Sequence, residues 1–150
     1  NIQIRLDDEN AVLRCDYSHM KEVLNNLVSN ALDAMGESGT LVLGYRKPRK
    51  NIALISVEDN GRGIPDSQIG HIFDLYHSGY SDGRHMGLGL YYCQNVVRAH
   101  GGYIQVKSST DTENHGTAFI LCIPGGKRSL SSETGCDGHG TDNQYSDRGK

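Results

Sequence analysis

Val23, Leu24, Leu27, Val28, Ala31, Leu32 and Met35 repeat at the spacing of one helix face. This predicts an amphipathic helix whose apolar stripe must be buried against another layer. Asp16 suits its N-cap, Gly36 suits its end, and Gly39 falls in the following turn. Strand patterns supply the other layer. Ile2, Ile4 and Leu6 alternate with polar residues, and Ala11 to Cys15 reads as a second strand. Leu41 to Arg46 and Ile52 to Glu58 read as a hairpin joined around Pro48. Pro65 and Asp66 are expected to open a short helix reaching about Phe73. Tyr76 to Gly87, rich in Gly, Ser, His and Asp, reads as a mobile surface loop. Helical spacing returns from Leu88 to His100, and Gly101 and Gly102 stop it. Tyr103 to Val106 and Thr117 to Ile123 are further strands, the last ended by Pro124. The expected fold class is α/β, an α+β two-layer sandwich with a mixed sheet covered on one face by helices.

The 150 residues suffice for one domain with a core. The apolar fraction, 36%, is low, and the C-terminal stretch accounts for part of that. From Gly125 onward Gly, Ser, Asp and Thr dominate, so the folded domain is expected at 1–124, with a disordered tail at 125–150. Fifteen basic against 18 acidic residues give a net charge of −3, which offers no case for nucleic acid binding. No apolar run approaches the roughly 20 residues of a membrane helix, so no direct membrane contact is expected. The first residues, Asn-Ile-Gln-Ile-Arg-Leu, lack the pattern of a signal peptide and read as the start of a fragment of something longer. Cys15, Cys93, Cys122 and Cys136 form no CxxC pair and read as free thiols. Cys136 and His139 have a loosely ligand-like spacing in surroundings that do not suit zinc.

Three motifs carry chemistry. Asn26 and Asn30 stand four apart on the long helix, so they share a face. A neutral amide oxygen suits Mg²⁺, which prefers few protein ligands. Taken alone, the pair reads more simply as two solvated asparagines. Asp59-Asn60-Gly61-Arg62-Gly63-Ile64-Pro65 follows a strand directly. Its carboxylate accepts hydrogen bonds only and can recognise an exocyclic amine such as that of adenine. Taken alone, it is also ordinary turn chemistry. Gly87-Leu88-Gly89-Leu90 opens the second long helix, where free N–H groups suit phosphates. It matches neither the phosphate-loop nor the dinucleotide-binding glycine pattern.

In this order and spacing the three resemble the N, G1 and G2 boxes of the Bergerat-type ATP-binding fold, shared by gyrase, a mismatch-repair protein, a heat-shock chaperone and the histidine kinases. Ile72-Phe73-Asp74-Leu75-Tyr76 resembles the histidine kinase F box, and His100-Gly101-Gly102 and Gly116-Thr117 also resemble that family. The resemblance covers nearly all of residues 1–124. It implies that Asn30 holds Mg²⁺ against the phosphates of ATP, with Asn26 nearby. Asp59 would bind the adenine amine, supported by Thr117 through water. Gly61 and Gly63 would shape the adenine pocket, with Ile64 as an apolar wall. Gly87, Leu88, Gly89 and Leu90 would close on the phosphates, and Phe73 and Tyr76 would anchor the lid. Arg84 could serve the phosphates or be a solvated loop arginine.

Within the superfamily, the ATPase branches usually place Glu four residues before the metal-binding Asn, where it can act as a base on water. Here that position is Asn26, as is typical of histidine kinases, whose acceptor imidazole is already a nucleophile when neutral. Glu22 reads as a solvated carboxylate, and Asp33 could touch the site through water. Two departures stand out: His85 where G2 usually has another Gly, and a lid without lysine. They keep open a degenerate nucleotide-binding module; the other alternative is an ATPase of the same fold, against which Asn26 argues and which measurable hydrolysis would revive. No histidine has the phosphoacceptor context; His19 and His100 lie at helix ends, where for His100 a cation is favoured, and His71, His77 and His85 lie around the lid. The resemblance therefore implies a catalytic domain that acts on a histidine-bearing dimerisation domain of the same kinase and, through it, on a response-regulator receiver domain. The domain itself is expected to be monomeric and cytoplasmic, in a parent that can be anchored in the inner membrane.

Overall fold

A computed structural model describes residues 1–6, 13–75 and 87–125. The long helix, α1 (Tyr17–Met35), starts where Asp16 caps it, its carboxylate accepting from His19 N–H at 3.0 Å. It ends at Gly36, whose φ of 66° is a left-handed conformation that favours glycine and whose N–H donates to Leu32 O. The stripe buries Met20, Val23, Leu27 and Ala31.

Five strands form one sheet: β1 (Ile2–Leu6), β2 (Leu41–Arg49), β3 (Ile52–Asp59), β4 (Tyr103–Thr110) and β5 (His115–Pro124). Their order is β1-β2-β3-β5-β4; β1 lies parallel to β2 and the other pairs are antiparallel, so the sheet is mixed. α1 and α3 (Gly89–Ala99) cover one side of it, as expected for the Bergerat-type fold. Thr117, Phe119, Leu121 and Ile123 alternate as the buried residues of β5, and the last three meet Val23, Leu27, Cys93 and Val97 in one core. β3 is registered residue for residue on β5, Asp59 on Thr117 and Val57 on Phe119. Asp59 therefore stands on the same helix-facing side as Val57, at the end of the sheet.

Several sequence expectations are corrected. β2 does not stop before Pro48 but runs to Arg49, with a register shift between Arg46 and Arg49. β1 pairs only as far as Tyr45, so Pro48 needs no N–H donation to that neighbour. Leu13 to Cys15 form no strand; Leu13 and Cys15 instead pack against the core, and residues 11–12 lie outside the described set. The helix expected from Pro65 to Phe73 is only α2 (Asp66–Ile69). Beyond it the chain advances by three-residue turns, His71 N–H to Gln68 O and Asp74 N–H to His71 O, which still bury Ile72. β1 forms, but its alternation buries no face, and Ile2 and Ile4 are each 66% exposed.

His100 is not the cation that its helix-end position suggested. Its Nδ1 faces Val96 O at 2.8 Å and so carries the proton, while Nε2 accepts from Asp16 N–H at 3.0 Å. A neutral imidazole meets both demands and ties the end of α3 to the start of α1. Cys93 is buried, with its thiol pushed up to about 12 mainly by burial, and Cys15 is also raised by burial. Both are free, as is half-buried Cys122. Cys136, His139 and the expected tail from 126 lie outside the described residues.

Candidate functional site

Asn26, Asn30 and Ala34 are spaced by four on α1 and so form one ridge, rising about 6 Å per step. Both ends of that ridge touch a glycine from elsewhere in the chain. At Gly89, the first residue of α3, a Cβ would lie 3.0 Å from Asn26 Oδ1. At Gly61, after β3, a Cβ would lie 2.6 Å from the carbonyl carbon of Ala34. Asn30 therefore occupies the ridge between the loop after β3 and the start of α3. Asn26 Nδ2 donates to Glu22 O at 3.0 Å, which turns its oxygen towards Gly89. The Asn30 carboxamide has no hydrogen-bond partner among the described residues.

One wall of the site is the end of the sheet. Asp59 accepts from Gly61 N–H at 2.8 Å. Burial holds its carboxyl above the ordinary carboxylate range, and the N–H groups of Gly61 and Thr117 oppose that rise. Gly63 has a φ of 74°, and a Cβ there would run into Ser109 O, so the loop can lie against β4 only as glycine. Ile64 donates its N–H to Ser108 Oγ at 2.8 Å, and its side chain packs against the core. Thr117 is only 5% exposed, and its hydroxyl lies 2.9 Å from Ser108 Oγ. His115 Nδ1 faces Gly61 O at 2.7 Å, which makes it the protonated nitrogen.

The opposite wall is the start of α3. Leu88 is its N-cap residue and supplies no side-chain cap, and Gly87 precedes it at a φ of 65°. The first-turn N–H groups thus have no capping side chain and offer positive potential. Leu90 is partly buried against the core, as is Phe73; Leu88 is exposed. Tyr76 and Arg84 lie outside the described residues. His71 pairs with Asp74 at 2.8 Å, while His77 and His85 are outside the described set. The structure thus brings together Asn26, Asn30, Gly61 and Gly89 around one ridge, with Asp59, Gly63, Ile64 and Thr117 at the sheet end. Ser108, His115 and Ala34 were not singled out from the sequence. Ser108 and His115 owe their places to strand register, which no local pattern displays.

A neutral hard oxygen, an anion-favouring helix start and a glycine-lined, acceptor-bearing wall fit ATP and a divalent cation. Among the described residues no group of three His, Cys, Asp or Glu could hold a metal by itself. Asn30 is the residue that would hold Mg²⁺, together with the phosphates.

Residues 15–127 match the family described as histidine kinase-, DNA gyrase B-, and HSP90-like ATPase. The chain belongs to that family. It is similar to the alginate biosynthesis sensor protein KinB of Pseudomonas aeruginosa, at 36% identity over 83% of this chain but 20% of that protein. The chain therefore spans only about a fifth of this curated relative. The catalytic domain of the histidine kinase ThkA, free of nucleotide, superposes with a TM-score of 0.72 at 28% identity, covering 83% of this chain and 80% of that one. ThkA in complex with the response regulator protein TrrA matches at a TM-score of 0.68 and 28% identity, over 84% of this chain and 34% of that one. Fold, family and relatives agree: this is an ATP-binding domain of the sensor histidine kinase type.

Proposed function

We propose that this domain binds Mg-ATP and presents its γ-phosphoryl in line to a histidine on a separate dimerisation domain of the same kinase. The imidazole lone pair forms the new P–N bond, the bond from the γ-phosphorus to the bridging oxygen breaks, and ADP leaves. The phosphoryl group would then pass to a receiver-domain aspartate; the solved assembly of ThkA with TrrA supports such a partner. Residues 1–124 would form the catalytic unit and 125–150 a tail, in a cytoplasmic part of the parent protein. No helix of the described residues is long and apolar enough to cross a membrane.

The observation that carries the kinase reading is Asn26. It stands one turn before Asn30, against the start of α3, where an ATPase of this fold needs a base. A carboxamide cannot take a proton from water at neutral pH, so catalysis here is positioning and charge neutralisation. Asn30 would hold the cation, Asp59 the adenine amine, and the α3 start the phosphates. In a phosphate-release assay at saturating Mg-ATP, this chain alone should release almost no phosphate. Added histidine-bearing domain of the parent should take up the γ-phosphoryl label. Steady release without any acceptor would favour an ATPase instead.

A further inference from the structure

Ser108 Oγ on β4 sits among three polar atoms. It is 2.8 Å from Ile64 N, 2.8 Å from Gly116 O and 2.9 Å from Thr117 Oγ1. A hydroxyl has one proton and two lone pairs. Ile64 N–H can only donate, so it takes one lone pair. Gly116 O can only accept, so it takes the proton. What remains for Thr117 is the second lone pair, and Thr117 must therefore donate its own hydroxyl proton to Ser108. Towards anything else Thr117 Oγ1 then presents lone pairs alone.

Thr117 stands directly opposite Asp59 in the sheet register, on the same side. An ionised Asp59 is also an acceptor only. Asp59 and Thr117 thus place two acceptors side by side at the sheet end. We infer that Ser108 is a positioning residue that fixes the hydrogen-bond polarity of Thr117, so that the wall selects a purine bearing an exocyclic amine over one bearing a carbonyl there. The same hydroxyl anchors the loop after β3 through Ile64 N–H, which couples the shape of the pocket to its polarity. This rests on the ATP reading above.

Replacing Ser108 by Ala would release the Thr117 proton. The hydroxyl could then turn and donate to a carbonyl, so discrimination should shrink even where loop anchoring also suffers. The test is calorimetric titration of the full chain with ATP and with ITP, which differ in the six-position amine or carbonyl and the proton at the adjacent nitrogen. The unsubstituted chain should prefer ATP. In Ser108→Ala the ITP-to-ATP ratio of dissociation constants should narrow by roughly three- to tenfold. Ser108→Thr, which keeps the hydroxyl, should restore the ratio. A merely structural role would weaken both nucleotides by the same factor and leave the ratio intact, and that result would overturn the inference. Should Ser108→Ala not fold, Thr117→Val must narrow the ratio as well; an unchanged ratio there also overturns it. Failure of the unsubstituted chain to bind either nucleotide would instead overturn the ATP reading, and the inference with it.

Discussion

The role proposed for Asp59, accepting from the adenine amine, comes with a cost to the nucleotide-free domain. Burial raises its carboxyl above the value it has in an unfolded chain, so the folded state binds the proton more tightly. Stability from this group is therefore fully present below the unfolded value and is lost as pH rises through the folded one. At neutral pH the ionised carboxylate is a standing destabilisation, which the proposed role as a charged acceptor would offset on binding. Asp59→Asn should lower ATP affinity by about one to two decades, or ~1.5–3 kcal/mol, the scale of a hydrogen bond to a charged group. The ligand-free domain should melt no lower than the parent, because the buried charge is gone. Unchanged ATP affinity by calorimetry, or a clearly lower melting temperature without nucleotide, would contradict this assignment. Asp59 and Asn30 could be singled out from the sequence only because the order and spacing of three local motifs, each with a plainer reading alone, resemble a known family. Ser108 could not, since its importance comes from Ile64 and Thr117, which are 44 and 9 residues away along the chain.

Elements set the site by touching through glycine. The loop after β3 meets α1 at Gly61, where there is no room for a Cβ against the Ala34 backbone at 2.6 Å. Backbone cannot move aside as a flexible side chain can. Gly61→Ala should therefore destabilise the domain by about 1–3 kcal/mol, the usual range for overpacking, with a melting temperature several degrees lower and weaker nucleotide binding. A variant as stable as the parent would mean that the loop does not rest on α1. The limits of α1 were legible because Asp16 and Gly36 are strong start and stop signals. Those of α2 were not. Ile69, Ile72 and Phe73 suit a helix, yet beyond Gly70 the chain closes three-residue turns that bury Ile72 equally well. In β1 the alternation of Ile2, Ile4 and Leu6 correctly indicated a strand but not its surroundings, because burial depends on what covers an edge.

For the whole molecule, one helix ridge joins two walls that are far apart in sequence. Gly61 and Gly89 each reach α1 only because the sheet and α3 pack on the same stripe, which holds Val23 and Leu27 against Cys93, Val97 and Leu121. A layered fold could be read from the periodicities, whereas the strand order β1-β2-β3-β5-β4 could not, since pairing partners leave no local trace. The resemblance in the three motifs carried the site further than pattern alone, and the packing at Asn26, Gly89 and Gly61 gives it a physical basis. The most direct test is calorimetric titration of this chain with a non-hydrolysable ATP analogue, with and without Mg²⁺. The account predicts a single saturable site whose affinity rises when Mg²⁺ is present. Absence of binding, or binding indifferent to Mg²⁺, would contradict a site in which Asn30 and the phosphates share the cation.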